Sequence, residues 1–187
     1  MIKIMTRSIF KKLEGMQELS ESVYDKKSLL SKLKKELCAY NVFDLMRVQA
    51  LLENDCRYLP PNYKKKFKEK MCEQIFSNYK IILSSDNFQN QELDMEQYND
   101  FLKIFLQKLD DITSSDTREM TVLYFLCAMY NLFITRTPPH PVGTPFPGGF
   151  CVEKKGDEYY CPVKDKQTEN EEAICKFCIA KQDDRVK

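Results

Sequence analysis

Asp116-Thr117-Arg118-Glu119-Met120-Thr121-Val122-Leu123-Tyr124-Phe125-Leu126-Cys127-Ala128-Met129-Tyr130-Asn131-Leu132-Phe133-Ile134 decides the fold. From Met120 to Ile134 the run is almost continuously apolar, interrupted by Thr121 and Asn131. It falls short of the roughly 20 residues that a membrane-spanning helix needs. A helix that is apolar on nearly every side is instead a central one, enclosed by its neighbours. Asp116, with Glu119 three residues later, resembles the capping box that starts such a helix.

Outward from this run, amphipathic stripes at helical spacing fill the chain on its amino-terminal side. Met5, Ile9, Leu13 and Met16 predict a first short helix, and Leu29, Leu30, Leu33, Leu37 and Tyr40 a second. Asn41 or Asp44 caps a third, carrying Leu45, Val48, Leu51 and Leu52. Pro60-Pro61 starts a longer one with Tyr63, Phe67, Met71, Ile75, Tyr79 and Ile82, because proline is tolerated in a first helical turn. Tyr98, Phe101, Phe105, Leu109 and Ile112 mark another. The expectation is an all-α fold: a bundle of five or six helices over 1–137, with residues 138–187 forming a Pro/Gly-rich hook and a small Cys-rich carboxyl-terminal hairpin and knuckle, packed with it as one domain.

Composition excludes several function classes. Lys and Arg number 29 and Asp and Glu 28 among 187 residues, so a net charge of +1 gives no field to attract nucleic acid or an anionic membrane. The run Lys64, Lys65, Lys66, Lys68 and Lys70 is broken by Glu69 and reads as a solvated helix face. Neither a membrane nor a nucleic acid is expected as a partner, whereas a protein partner fits. Glycine is absent from residues 16–142, which leaves no glycine loop there to cradle a phosphate. A single histidine, His140, restricts acid–base chemistry.

Eight cysteines occur, and Lys3, Arg7, Lys11, Lys12 and Glu14 interrupt the amino-terminal stretch where a signal peptide would need an apolar core. A cytoplasmic, reducing location is expected, where clustered cysteines are more often metal ligands than disulfides. Cys38, Cys72 and Cys127 fall in helical stripes as small hydrophobes, and Cys56 has no neighbouring ligand. Cys151, Cys161, Cys175 and Cys178 form C-x9-C-x13-C-x2-C. A hairpin turning at Gly156 would bring Cys151 and Cys161 within ~5 Å on one face. Cys175 and Cys178 lie one turn apart, in a short last helix that Asn170 can cap. Four thiolates suit a closed zinc site. An iron–sulfur cluster is the alternative, since Pro162 follows Cys161.

Thr137-Pro138-Pro139-His140-Pro141-Val142-Gly143-Thr144-Pro145-Phe146-Pro147-Gly148-Gly149-Phe150 is a stiff hook leading into this module. His140, held between two prolines, is expected to face the cysteines as a ligand, as a donor behind the ligands or as a proton carrier, or to be purely structural. Arg136 before it and Lys164 after it are candidate cofactor-binding cations.

The segments His140-Pro-Val-Gly-Thr-Pro-Phe-Pro-Gly-Gly-Phe150, Tyr159-Tyr160-Cys161-Pro162-Val163-Lys164-Asp165 and Cys175-Lys176-Phe177-Cys178-Ile179-Ala180 resemble an uncharacterised protein family of methanogenic archaea. The resemblance is specific over residues 136–182, and Asp44-Leu45-Met46 and Tyr58-Leu59-Pro60 extend it. It implies a cytoplasmic archaeal protein of about this length and adds no enzyme activity. His140, Cys161, Cys175 and Cys178 match its pattern better than Cys151, so a site of three cysteines and one histidine stands beside the four-cysteine site. The leading expectation is a metal-binding protein, with zinc favoured, in a structural or interaction role. The alternative is a metal-dependent or iron–sulfur enzyme of methanogen metabolism, in which His140 or Lys164 moves a proton at an open position.

Overall fold

The computed structural model describes residues 19, 23–56, 60–85, 89–171 and 173–186. The short first helix expected at Met5 to Met16 lies outside them. In chain order the described elements are α1 (Lys26–Leu37), α2 (Val42–Asp55), α3 (Pro61–Ser84), α4 (Met95–Asp110), α5 (Ser115–Met129), a π-turn (Tyr130–Thr135), β1 (Glu153–Lys155), β2 (Glu158–Cys161), α6 (Lys164–Thr168), a 3-10 turn (Ile174–Phe177) and β3 (Lys181–Gln182). The fold is mostly helical with one small three-stranded sheet, and the purely α expectation is corrected to that extent.

Local chemistry explains the helix starts. Asp25 caps α1 by accepting from Ser28 N, and the Ser28 hydroxyl accepts from Asp25 N in return. At α2 the reciprocal pair is Asn41 and Asp44: Asn41 Oδ1 accepts from Phe43 N at 2.8 Å, and Asp44 Oδ2 accepts from Asn41 N at 2.9 Å. Pro61 opens α3. The α5 cap is Ser114, whose hydroxyl accepts from Thr117 N, so this helix starts ahead of the expected Asp116.

The apolar stripes meet in one core. Leu29, Leu33 and Leu37 of α1, Ile75 and Ile82 of α3, Phe101 and Phe105 of α4 and Leu123 and Leu126 of α5 are all buried. The α5 segment is the central one: every residue from Phe125 to Ile134 is buried. Within that stretch the α-helix widens to the π-turn, where Asn131 accepts backbone N–H bonds from Arg136 and Thr137. Arg136 then reverses the chain at φ 55°, the one non-glycine residue among those described with a left-handed backbone. Of the lysine run, Lys65 and Lys66 are exposed, whereas Lys64, Lys68 and Lys70 are half-buried, Lys68 paired to Glu53 at 2.8 Å and Lys70 to Glu73 at 2.9 Å. Cys72 and Cys127 are buried, whereas Cys38, at the end of α1, is exposed and does not serve as a core residue.

The Pro/Gly hook doubles back on itself. Gly143 N donates to Val152 O at 2.8 Å, Val152 N to Thr144 O at 3.0 Å and Phe146 N to Phe150 O at 2.8 Å. Gly148 and Gly149, at φ 94° and 83°, make the bend. β1 and β2 pair antiparallel, with Glu153 opposite Tyr160 and Lys155 opposite Glu158; the Cys-rich hairpin expected from Phe150, with Cys151 on its first strand, is not what forms, because β1 begins at Glu153 and Cys151 bridges Pro145 instead. β3, which was not expected, pairs parallel to β2, so the strand ending in Cys161 is central. The last helix expected with Asn170 as its cap is reduced to the 3-10 turn, where the Asn170 carbonyl accepts from Ala173 N.

Candidate functional site

Three structural devices bring Cys161, Cys175 and Cys178 together. β2 delivers Cys161 at its end, where the chain turns into α6, and the backbone there lies close enough to temper the rise that burial imposes on its thiol pKa. The 3-10 turn begins and ends beside Cys175 and Cys178, and Cys178 N closes it by donating to Cys175 O at 3.0 Å. Ala180 N donates to Cys178 Sγ at 3.5 Å. Lys164 ties these parts to each other: its ammonium donates to Cys178 O at 2.7 Å and to Cys175 O.

These residues border a cavity of about 20 Å³, together with His140, Pro138, Pro139, Val152, Ile174 and Ala180. That volume holds one atom-sized guest, since one water needs ~10–15 Å³ by the same measure. Cys151 is not on its wall. The hairpin register explains why: with Glu153 opposite Tyr160, Val152 comes opposite Cys161, and Cys151 falls on the other face, bridging Pro145. The expected convergence of Cys151 and Cys161 is thereby corrected. Arg136 is also absent from the cavity. It is exposed and directs its guanidinium to Leu132 O at 3.5 Å.

Electrostatics hold the site in its neutral form. Burial pushes the Cys175 thiol up to about 11, helped by its neighbours Cys178 and Cys161, while the Lys164 charge opposes the rise. Burial likewise raises Cys161 and Cys178, against hydrogen bonds to their sulfurs and the same Lys164 charge. His140 is wedged between rings, 5.5 Å from Phe146 and 6.5 Å from Phe67. Its burial pushes the imidazole down to about 4, so it is neutral near pH 7. Among the described residues no three His, Cys, Asp or Glu side chains stand in a preformed metal cage.

Two features escaped the sequence. Tyr124 of α5 lies within electrostatic reach of Cys175 and Cys178, and burial raises its hydroxyl pKa. Asp183 is buried, its N–H donates to Cys161 O at 3.1 Å, and Arg185 grips its carboxylate. No motif marks Asp183, because the parallel strand that carries it there has no local signal.

A mostly helical bundle ending in a cysteine-bearing turn on a three-stranded sheet is thus the class of protein. Residues 25–183 match the family described as uncharacterized protein conserved in archaea (DUF2115), and the chain belongs to it. It is 37% identical over 163 residues to the UPF0305 protein MJ0646 of Methanocaldococcus jannaschii, covering 86% of this chain and 98% of that one. A UPF0305 protein of Methanothermobacter thermautotrophicus is 35% identical over 155 residues, covering 83% and 94% of the two chains. The UPF0305 protein MK0666 of Methanopyrus kandleri is 29% identical over 127 residues, 68% of this chain and 89% of that one. No solved structure matches. Among the described residues no helix is long and apolar enough to cross a membrane.

Proposed function

We propose that the chain binds one zinc ion through Cys161, Cys175, Cys178 and His140, in a structural or interaction role. The observation that supports this reading is the shared cavity: four groups of the right chemistry border a space of about 20 Å³, enough for one ion and far too small for a cluster of several irons. Binding requires the thiols to lose their protons, and the groups for this are in place. The Ala180 N–H donates to Cys178 Sγ, and the Lys164 ammonium would balance the single negative charge of a zinc ion held by three thiolates and a neutral imidazole. Closure by His140 leaves no open coordination position, which favours a structural site over a catalytic one.

The deciding experiment is metal analysis of protein purified without oxygen, on the native chain and on single variants. About one zinc per chain is expected in the native protein and in Cys151→Ser, with loss in Cys161→Ser, Cys175→Ser and Cys178→Ser. Loss in Cys151→Ser, or a folded native protein that takes up no zinc when zinc is supplied, would defeat the reading. A fully loaded His140→Ala variant would replace the closed site by an open three-cysteine one.

A further inference from the structure

Cys175 and Cys178 are the two ends of one closed turn: Cys178 N donates to Cys175 O at 3.0 Å around the 3-10 segment Ile174–Phe177. In a 3-10 turn, three steps of about 2.0 Å set such a pair roughly 6 Å apart at Cα, with the side chains eclipsed. A disulfide asks for Cα atoms ~4.4–6.8 Å apart and side chains that face each other, so this backbone already offers both. Both residues border the small cavity, and the two thiols are close enough to feel each other's charge. Ile174 and Phe177, buried in the core, fix the turn that carries them.

Exposure singles out the same pair. Cys175 and Cys178 are half-buried, whereas Cys161, the third cysteine on the cavity wall, is buried at the end of the central strand. Cys151 is half-buried as well, but it bridges Pro145 and is not on that wall. A reachable thiol with a second thiol beside it to resolve the first oxidation product is the arrangement of reversible redox sites. We infer that Cys175 and Cys178 are an oxidation site for hydroperoxides, and that closing their disulfide empties the metal site.

The chemistry balances in two steps. One sulfur takes an oxygen from the hydroperoxide: the O–O bond breaks, an alcohol leaves (water, from hydrogen peroxide itself), and the cysteine becomes a sulfenic acid. The second sulfur attacks the first, the S–O bond breaks, water leaves and the S–S bond forms. Two thiols are oxidised and one hydroperoxide is reduced; an external thiol reverses the change by exchange. The oxidation does not depend on the zinc reading, but the loss of metal rests on it. With two sulfurs spent on each other, Cys161 and His140 remain, two ligands where a closed zinc site uses four.

The test adds hydrogen peroxide, at about one equivalent, to the full chain purified without oxygen. Remaining thiols are alkylated and mapped by mass spectrometry of digests, and released zinc is read with a chromophoric chelator. Expected are a peptide spanning Cys175 to Cys178 that is two hydrogens lighter, a Cys161 still open to alkylation once the chain is unfolded, loss of zinc in proportion to the disulfide, and reversal by dithiothreitol. Cys178→Ser removes the resolving thiol and should leave a sulfenic acid on Cys175 that dimedone traps, whether or not that variant holds metal. A folded chain that binds zinc but oxidises first at Cys161 or Cys151, or carries Cys175 and Cys178 to sulfinic acids without joining them, would overturn the inference and leave the zinc reading intact. The same disulfide in a chain without zinc would uphold the oxidation site and defeat the zinc reading instead. Zinc that stays bound to the disulfide form would overturn the claim that oxidation empties the site.

Discussion

The Phe177 ring meets Phe101 edge to face, with centroids 5.6 Å apart and planes at 67°, and so inserts the cysteine-bearing turn into the core between α4 and α5. The same ring lies 6.5 Å from Phe133 of the π-turn. Removing a buried aromatic leaves a cavity that the neighbours refill only in part. Phe177→Ala should destabilise the chain by about 3 kcal/mol in denaturant titrations. An unchanged midpoint would mean that the turn merely rests on the bundle.

Lys164 is expected to act through position and charge. Lys164→Met keeps the length of the stem while removing the donors to Cys175 O and Cys178 O and the charge that eases thiol ionisation. On the proposed zinc reading, affinity for added zinc, read by competition with a chromophoric chelator, should fall by roughly 10- to 100-fold, as when ligand-supporting groups are removed from other metal sites. Lys164→Arg should recover part of it.

Arg136 carries a left-handed backbone that a Cβ disfavours, with its side chain on the surface. Arg136→Gly relieves that conformation and loses only a long contact to Leu132 O. After the added freedom of the unfolded chain is subtracted, a gain of roughly 0.5 kcal/mol is expected, visible as a raised melting temperature. A loss of stability would show that the guanidinium matters more than its geometry suggests.

Acid should act through Asp183. Arg185, donating to both carboxylate oxygens, holds this carboxyl at about 2, below its ordinary 3.8. The folded state therefore binds a proton less readily than the unfolded chain, and the stability this contributes is complete above the ordinary value and drains away as pH falls toward about 2. Denaturation midpoints measured from about pH 5 down to about pH 2 should show this slope, and Asp183→Asn should flatten it.

The helical half of this molecule was open to sequence reading because one physical signal, the apolar stripe, is local. Leu29 to Leu37, Tyr98 to Leu109 and Phe125 to Ile134 are buried where their spacing says. What escaped depends on half-residue differences and long range. Cys151 and Cys161 stand equally far from Gly156 in sequence, so a hairpin centred on that glycine pairs them. The turn instead occupies Gly156 and Asp157 between the paired Lys155 and Glu158, which moves the axis by half a residue and sends Cys151 to the opposite face. The π-turn is likewise silent: nothing in Tyr130-Asn131-Leu132 separates an α-turn from a wider one. His140 and Lys164 were legible as candidates, but the role of Lys164 rests on two carbonyls whose position only the folded turn defines.

The 3-10 turn Ile174–Phe177 has three residues per turn, so positions three apart align in rows. Cys175 and Cys178 make one row, at the small cavity; Ile174 and Phe177 make the next, in the aromatic core, with Ile174 also on the cavity wall. One short piece of backbone is therefore common to both, and neither row can shift without turning the other. Any guest that binds the folded cavity and not the unfolded chain adds RT ln(1 + [L]/Kd) to the stability of the whole bundle. The melting temperature of the helices is thus a thermometer for occupancy of a site to which α1, α2 and α4 contribute no wall residue.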